Sequence, residues 1–193
     1  MGQAQKAGTA PSGLPIAFFV RGTARQAPPE TALNNLCLLA RLFDLASGHS
    51  PEDLKEFLDA FFELCENRPE FFADFLADLP DLSERLVFGP LLGHPGLRRL
   101  VERIANDQDP LRLAELFSFL ASLPAQTAAR VAENTDAHFF ALVMLEEEPD
   151  PAASEQILAF LRSVEAAFSS SGRSLKELDH NDVLVEFGFW DYF

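Results

Sequence analysis

The sequence predicts an all-α protein, and three observations carry that prediction. Apolar residues recur at three- and four-residue spacing from Leu33 to Phe168, the repeat of one face of an α-helix. A capping residue followed by proline marks helix starts at Ser50-Pro51, Asp109-Pro110 and Asp150-Pro151; proline costs little there, because the first N–H groups of a helix have no internal partner. The stretches between are short turns written in Gly, Pro, Asn and Ser. The architecture expected is stacked antiparallel helix pairs or an irregular multi-helix bundle.

Taken in order, residues 1–30 are rich in Gly, Ala, Gln, Ser and Pro and read as a disordered or extended arm. Within it Leu14 to Val20 is a β-prone run that could pair with the C-terminus as a short strand. The helical domain follows over 31–178. Its first helix, from Thr31 or the Pro28-Pro29-Glu30 turn, carries Leu33, Leu36, Cys37, Leu39, Leu42 and Phe43, is apolar on nearly every side, and ends at Gly48. The next starts at Ser50 and buries Leu54, Phe57, Leu58, Phe61 and Cys65 before Asn67-Arg68-Pro69 breaks it. A helix with Phe71, Phe72, Phe75 and Leu76 stops at Leu79-Pro80, since the residue before proline avoids the α region. Another is expected from Asp81 to Phe88, ended by Gly89-Pro90. Further helices carry Leu97 to Ile104, Leu113 to Leu120, the segment from Pro124 to Asn134, Phe139 to Met144, and the stripe Ile157, Leu161, Val164 and Phe168. Ser174 and Glu177 have the spacing of a capping box. Residues 179–193 form an aromatic C-terminal arm.

An internal echo supports stacked pairs. Phe75-Leu76-Ala77-Asp78-Leu79-Pro80 returns as Phe119-Leu120-Ala121-Ser122-Leu123-Pro124, and Val87 as Val131, at an offset of 44. Glu66-Asn67 before Phe71-Phe72-Ala73 likewise returns as Glu133-Asn134 before Phe139-Phe140-Ala141. Over roughly residues 51–168 the chain thus resembles HEAT or armadillo architecture, in which helix pairs of about 40–47 residues stack into one continuous core. The resemblance is to the architecture and carries no family motif.

Little in the sequence points to chemistry. Neither G-x-x-x-x-G-K-[ST] nor G-x-G-x-x-G occurs. His49, His94, His138 and His180 are scattered without a second ligand at metal spacing, and Cys37 and Cys65 are too few and too far apart for a zinc site. Both cysteines lie in apolar helical patterns, which predicts buried free thiols. Asp179-His180-Asn181-Asp182 reads as a solvated cap, and Ser169-Ser170-Ser171 lacks a positioned base. The expectation is a non-enzyme with no catalytic residue, no metal and no cofactor.

Charge and aromatic residues supply the candidate surfaces instead. The formal net charge is −15, from 30 acids against 15 bases, a field that repels nucleic acid and anionic membranes and tolerates a basic or mixed protein surface. With no run of 18 apolar residues and no apolar stretch near the N-terminus long enough for a signal peptide, a soluble cytoplasmic protein is expected. Glu52, Glu56, Asp59, Glu63, Glu66, Glu70, Asp74, Asp78 and Asp81 form an acidic ladder spaced by threes and fours. Like charges at that spacing destabilise a helix by roughly a few tenths of a kcal/mol per pair, so a cationic partner would relieve the row. Residues 88–130 hold Arg98, Arg99, Arg103, Arg112 and Arg130 against four acids, and could meet the ladder within the chain or between copies. The second surface is Phe187, Phe189, Trp190, Tyr192 and Phe193: an arm this apolar must fold back or insert into a partner or a second copy. The function expected is an adaptor or protein-binding module, and the alternative is an acidic mimic of nucleic acid that inhibits a DNA- or RNA-binding protein.

Overall fold

Four helix starts share one local device. Ser50 Oγ accepts the Asp53 N–H at 3.1 Å while Asp53 Oδ2 accepts the Ser50 N–H at 3.0 Å, a reciprocal capping box. Asp109 Oδ1 accepts from Leu111 and Arg112, and Asp150 Oδ1 from Ala152. His94 does the same with its ring: Nδ1 accepts the Gly96 N–H at 3.1 Å. Proline follows each of the four.

The computed structural model describes residues 27–45, 50–147 and 150–174. Among them are nine α-helices and no strand: α1 (Pro29–Leu45), α2 (Pro51–Asn67), α3 (Glu70–Asp78), α4 (Phe88–Leu92), α5 (Pro95–Asp107), α6 (Pro110–Ser122), α7 (Ala125–Thr135), α8 (Ala137–Glu146) and α9 (Pro151–Ser170). The chain is all-α over these residues. The expected strand pairing of Leu14–Val20 with the C-terminal arm, the arm itself, and the Ser174–Glu177 box lie outside the described residues, wholly or in part.

One helix expected from sequence is replaced. Instead of a helix from Asp81 to Phe88, a single 3-10 turn spans Leu82–Glu84 and α4 begins at Phe88. Gly89-Pro90, read as a stop, sits in the first turn of α4, where proline's missing N–H is no loss. At two other junctions the chain reverses through non-glycine residues in the left-handed region, Gln108 (φ 51°) after α5 and Asp136 (φ 54°) between α7 and α8.

Packing follows an order visible in the contacts. Helix α2 packs against α5 and α5 against α8; α3 packs against α6 and α6 against α9; α2 also meets α3, α5 meets α6 and α8 meets α9. Helix α7 is wedged against α5, α8 and α9, and α1 lies on α2 and α3. The two segments of the 44-residue echo match at the ends of α3 and α6 and part after them, where Val87 precedes α4 and Val131 lies inside α7. Leu79 and Leu123 are the C-caps of α3 and α6, both buried, each donating its N–H three residues back, to Leu76 and Leu120; Val87 and Val131 are both buried.

Phenylalanine fills the interior. Phe43 meets Phe57 edge-on at 5.4 Å, Phe61 lies 4.3 Å from Phe75, Phe72 meets Phe119 at 5.4 Å, and Phe117 meets Phe160 at 5.7 Å, so aromatic contacts join α1 to α2, α2 to α3, α3 to α6 and α6 to α9. Burying such a ring is worth roughly 1.5–3 kcal/mol. Phe62, not expected on the core face of α2, is also fully buried and stacks on the His94 ring at 4.9 Å. In the other direction Leu42, expected inside, is half exposed with Leu38, because α1 has described helices on one side only.

Candidate interaction surface

The ladder begins where helix geometry favours it. Glu52 sits exposed in the first turn of α2, where the helix dipole stabilises an anion. Glu56 is half-buried and Glu63 exposed on the same helix. Between and beyond them the row is engaged by cations of the same chain. Asp59 accepts Lys55 Nζ at 2.5 Å and lies 3.2 Å from His94 Nε2. Partial burial pushes its carboxyl up, but Lys55 and His94 outweigh that and hold it below the usual carboxylate range. Glu66 takes Arg99 Nε at 2.5 Å. Glu70 is bonded by Arg68, which lowers its pKa, and Arg112 approaches at 3.7 Å. Asp81 shares Arg85 with Asp44, each at 2.5 Å. Asp78 accepts the Cys37 thiol at 3.8 Å, and its backbone carbonyl takes Arg41 at 2.6 Å.

The nine acids therefore do not form one bare plane. Asp59 and Glu66 turn to α5, Glu70 to α6, and Asp78 and Asp81 to cations and a thiol of α1 and its neighbours. The basic segment does meet the acidic one inside the chain, through Arg99 and Arg112, while Arg98 pairs with Asp136 at 2.6 Å and Arg103 with Asp107 at 3.1 Å. Glu52 and Asp74 stay exposed with no ion pair among the described residues. Phe187, Phe189, Trp190, Tyr192 and Phe193 lie outside the described residues.

A concave feature emerges that the sequence did not announce. A shallow, open trough of about 610 Å³ runs across α3, α6 and the start of α9, lined mainly by the small residues Ala73, Ala77, Ala114, Ser118 and Ala152 with Leu76 and Phe119. Past Leu76, Phe119 and Ser122 it opens into a hollow of about 350 Å³ between the two echo segments, bounded by Leu79-Pro80 and Leu123-Pro124. Small residues on exposed helix faces leave no periodic signal, so only the assembled fold exposes it.

No group of His, Cys, Asp and Glu is placed to hold a metal among the described residues. Burial and the neighbouring Asp78 push the Cys37 thiol up to about 11, and burial pushes Cys65 up too, the opposite of what a nucleophile needs. His138 is buried with Nδ1 3.3 Å from the Ala132 carbonyl. No described helix is long and apolar enough to cross a membrane.

Compared with protein-family models, curated proteins and solved structures, the chain matches none of them. Its function therefore rests on its own geometry.

Proposed function

We propose that the protein is a non-enzymatic interaction module, built of stacked antiparallel helix pairs in the HEAT manner, that holds a cytoplasmic protein partner with a basic or mixed surface. The observation that carries this is the apolar trough crossing three successive helices of one row. Rows of equivalent helices are how stacked-pair proteins build extended binding faces, and the like-with-like contacts of α2, α5 and α8 and of α3, α6 and α9 support that arrangement. The exposed carboxylates Glu52 and Asp74 add a field that speeds encounter with a cationic partner and excludes nucleic acid and anionic membrane. The aromatic arm, Phe187 to Phe193, supplies a further anchor to the partner or a second copy.

The test is a partner isolated on the immobilised chain, purified, and titrated by calorimetry. Binding should weaken with salt and fall on Glu52→Lys with Asp74→Lys; binding unmoved by both would overturn the acidic-face part of the reading. Deleting residues 187–193 should weaken binding while the body stays folded if the arm is an anchor, whereas a large fall in Tm assigns it to the fold. The nucleic-acid-mimic alternative calls for a row of free carboxylates, and Asp59, Glu66, Glu70 and Asp81 are already held by cations. A mimic would be displaced from its target by duplex DNA; an adaptor would not.

A further inference from the structure

We propose that the trough across α3, α6 and α9 is the docking site for a basic amphipathic helix of the partner protein. The proposal rests on the interaction-module reading and names the partner's chemistry.

Shape is the first argument. From Ala114 to Ser122 the trough follows α6 for about 12 Å, two helical turns. Its floor is alanine and serine, so the space is left for large side chains brought by the guest. Leu76 and Phe119 offer the apolar walls that a guest's residues at i, i+3 or i+4, and i+7 would cover. The trough continues into the hollow at Leu79-Pro80 and Leu123-Pro124. A chain segment can run on through that opening, whereas a small molecule gains most from an enclosing pocket.

Charge decides the occupant. Glu115 lies in the lining, and Asp74, Asp78 and Glu155 stand one residue from Ala73, Ala77 and Gln156 of the wall. Asp74, Glu115 and Glu155 have no ion pair among the described residues, although Arg68 lies near enough to Asp74 to feel its charge, and Asp78 takes the Cys37 thiol on its carboxylate and Arg41 on its backbone carbonyl. The one arginine on α6, Arg112, is engaged by Glu70, Asp107 and Asp109. An apolar floor with a predominantly anionic rim complements a helix with one apolar face flanked by Lys or Arg. The chain's own C-terminal arm fits poorly by the same criterion: residues 179–193 hold Asp179, Asp182, Glu186 and Asp191 and no Lys or Arg.

The experiment uses the full chain and a fluorescein-labelled Leu/Lys amphipathic peptide of about 18 residues, five helical turns, read by anisotropy. Its controls are a scrambled peptide of the same composition and a Leu/Glu helix. The Leu/Lys helix should bind and weaken with salt. Ser118→Trp, which fills the trough from an exposed position, and Asp74→Lys with Glu115→Lys should each weaken binding about tenfold or more, with unchanged circular dichroism and Tm. The scrambled peptide should bind at least about tenfold more weakly, and the Leu/Glu helix not at all. Equal binding of the scrambled peptide, or of Ser118→Trp and the parent chain, overturns the proposal. If a partner isolated on the full chain binds parent and Ser118→Trp alike while the Leu/Lys helix binds neither, helix docking falls and the module reading stands. If neither peptide nor any partner binds, both fall.

Discussion

Replacing Gly96 by alanine is expected to destabilise the protein, although it removes a glycine from a helix. Gly96 is buried in the first turn of α5, at its crossing with α2. A Cβ there would lie 2.5 Å from Phe62 Cβ and 2.7 Å from its Cδ2, with Cγ closer still. Phe62 cannot yield: it is fully buried between the stacked His94 ring and the edge of Phe61, 5.2 Å away. Since one of the obstructing atoms is next to the backbone, the two helices must part. Helix propensity favours alanine by at most about 1 kcal/mol, while forcing a methyl into a packed interface costs roughly 1–3 kcal/mol. The net loss should be about 1–2 kcal/mol, or roughly 2–8 °C in Tm for a chain of this size. Urea unfolding followed by circular dichroism at pH 7 measures it, and the m value should not change. In a Phe62→Ala background, which removes the ring, the same substitution should cost less. A Gly96→Ala protein as stable as the parent would refute the claim that this glycine sets the α2–α5 approach.

Three other outcomes follow from the caps and ion pairs. Burial lowers the His94 pKa below its ordinary 6.5 despite the opposing pull of Asp59, and the neutral ring is the form whose Nδ1 caps α5. The unfolded chain then binds this proton first, so the stabilisation is complete above about pH 6.5 and is lost as pH falls through the lower folded value; His94→Asn, which can cap without titrating, should flatten unfolding free energy between pH 7 and 5. Ser50→Ala breaks the capping box of α2 and should cost about 1 kcal/mol by urea unfolding, with Ser50→Thr restoring most of it. Arg85→Ala frees two carboxylates, Asp44 and Asp81, from a guanidinium only 16 % exposed, and should lower Tm clearly more than Arg103→Ala, whose pair with Asp107 is a surface pair one turn apart.

What the sequence made legible was what is local. Ser50-Pro51, Asp109-Pro110 and Asp150-Pro151 start helices where expected because a cap bonds backbone two or three residues away. Gly89-Pro90 misled because proline both ends helices and opens them, and the choice depends on what the following turn packs against: Leu91 and Leu92 are buried, so α4 forms there. The acidic spacing was correctly read along α2, yet nothing in it tells which acids are matched, since Arg99 and Arg112 come from 33 and 42 residues on along the chain, from Glu66 to Arg99 and Glu70 to Arg112. The trough was the least legible. Its floor is small residues on solvent-facing positions of α3 and α6, whose meeting depends on the tertiary contact between those two helices.

The end position of α1 has a consequence for how the molecule opens. Among the described helices α5 packs mainly on α2, α6, α7 and α8, whereas α1 packs mainly on α2 and α3. A helix held from one side detaches at a lower free energy than one held from several. Amide hydrogen exchange should therefore be fastest in α1 and slowest in α5 and α6. Cys37, on the buried face of α1 with its thiol on Asp78, becomes a built-in reporter of that partial opening, accessible to a thiol reagent before the rest of the core has come apart and before Cys65 is reached.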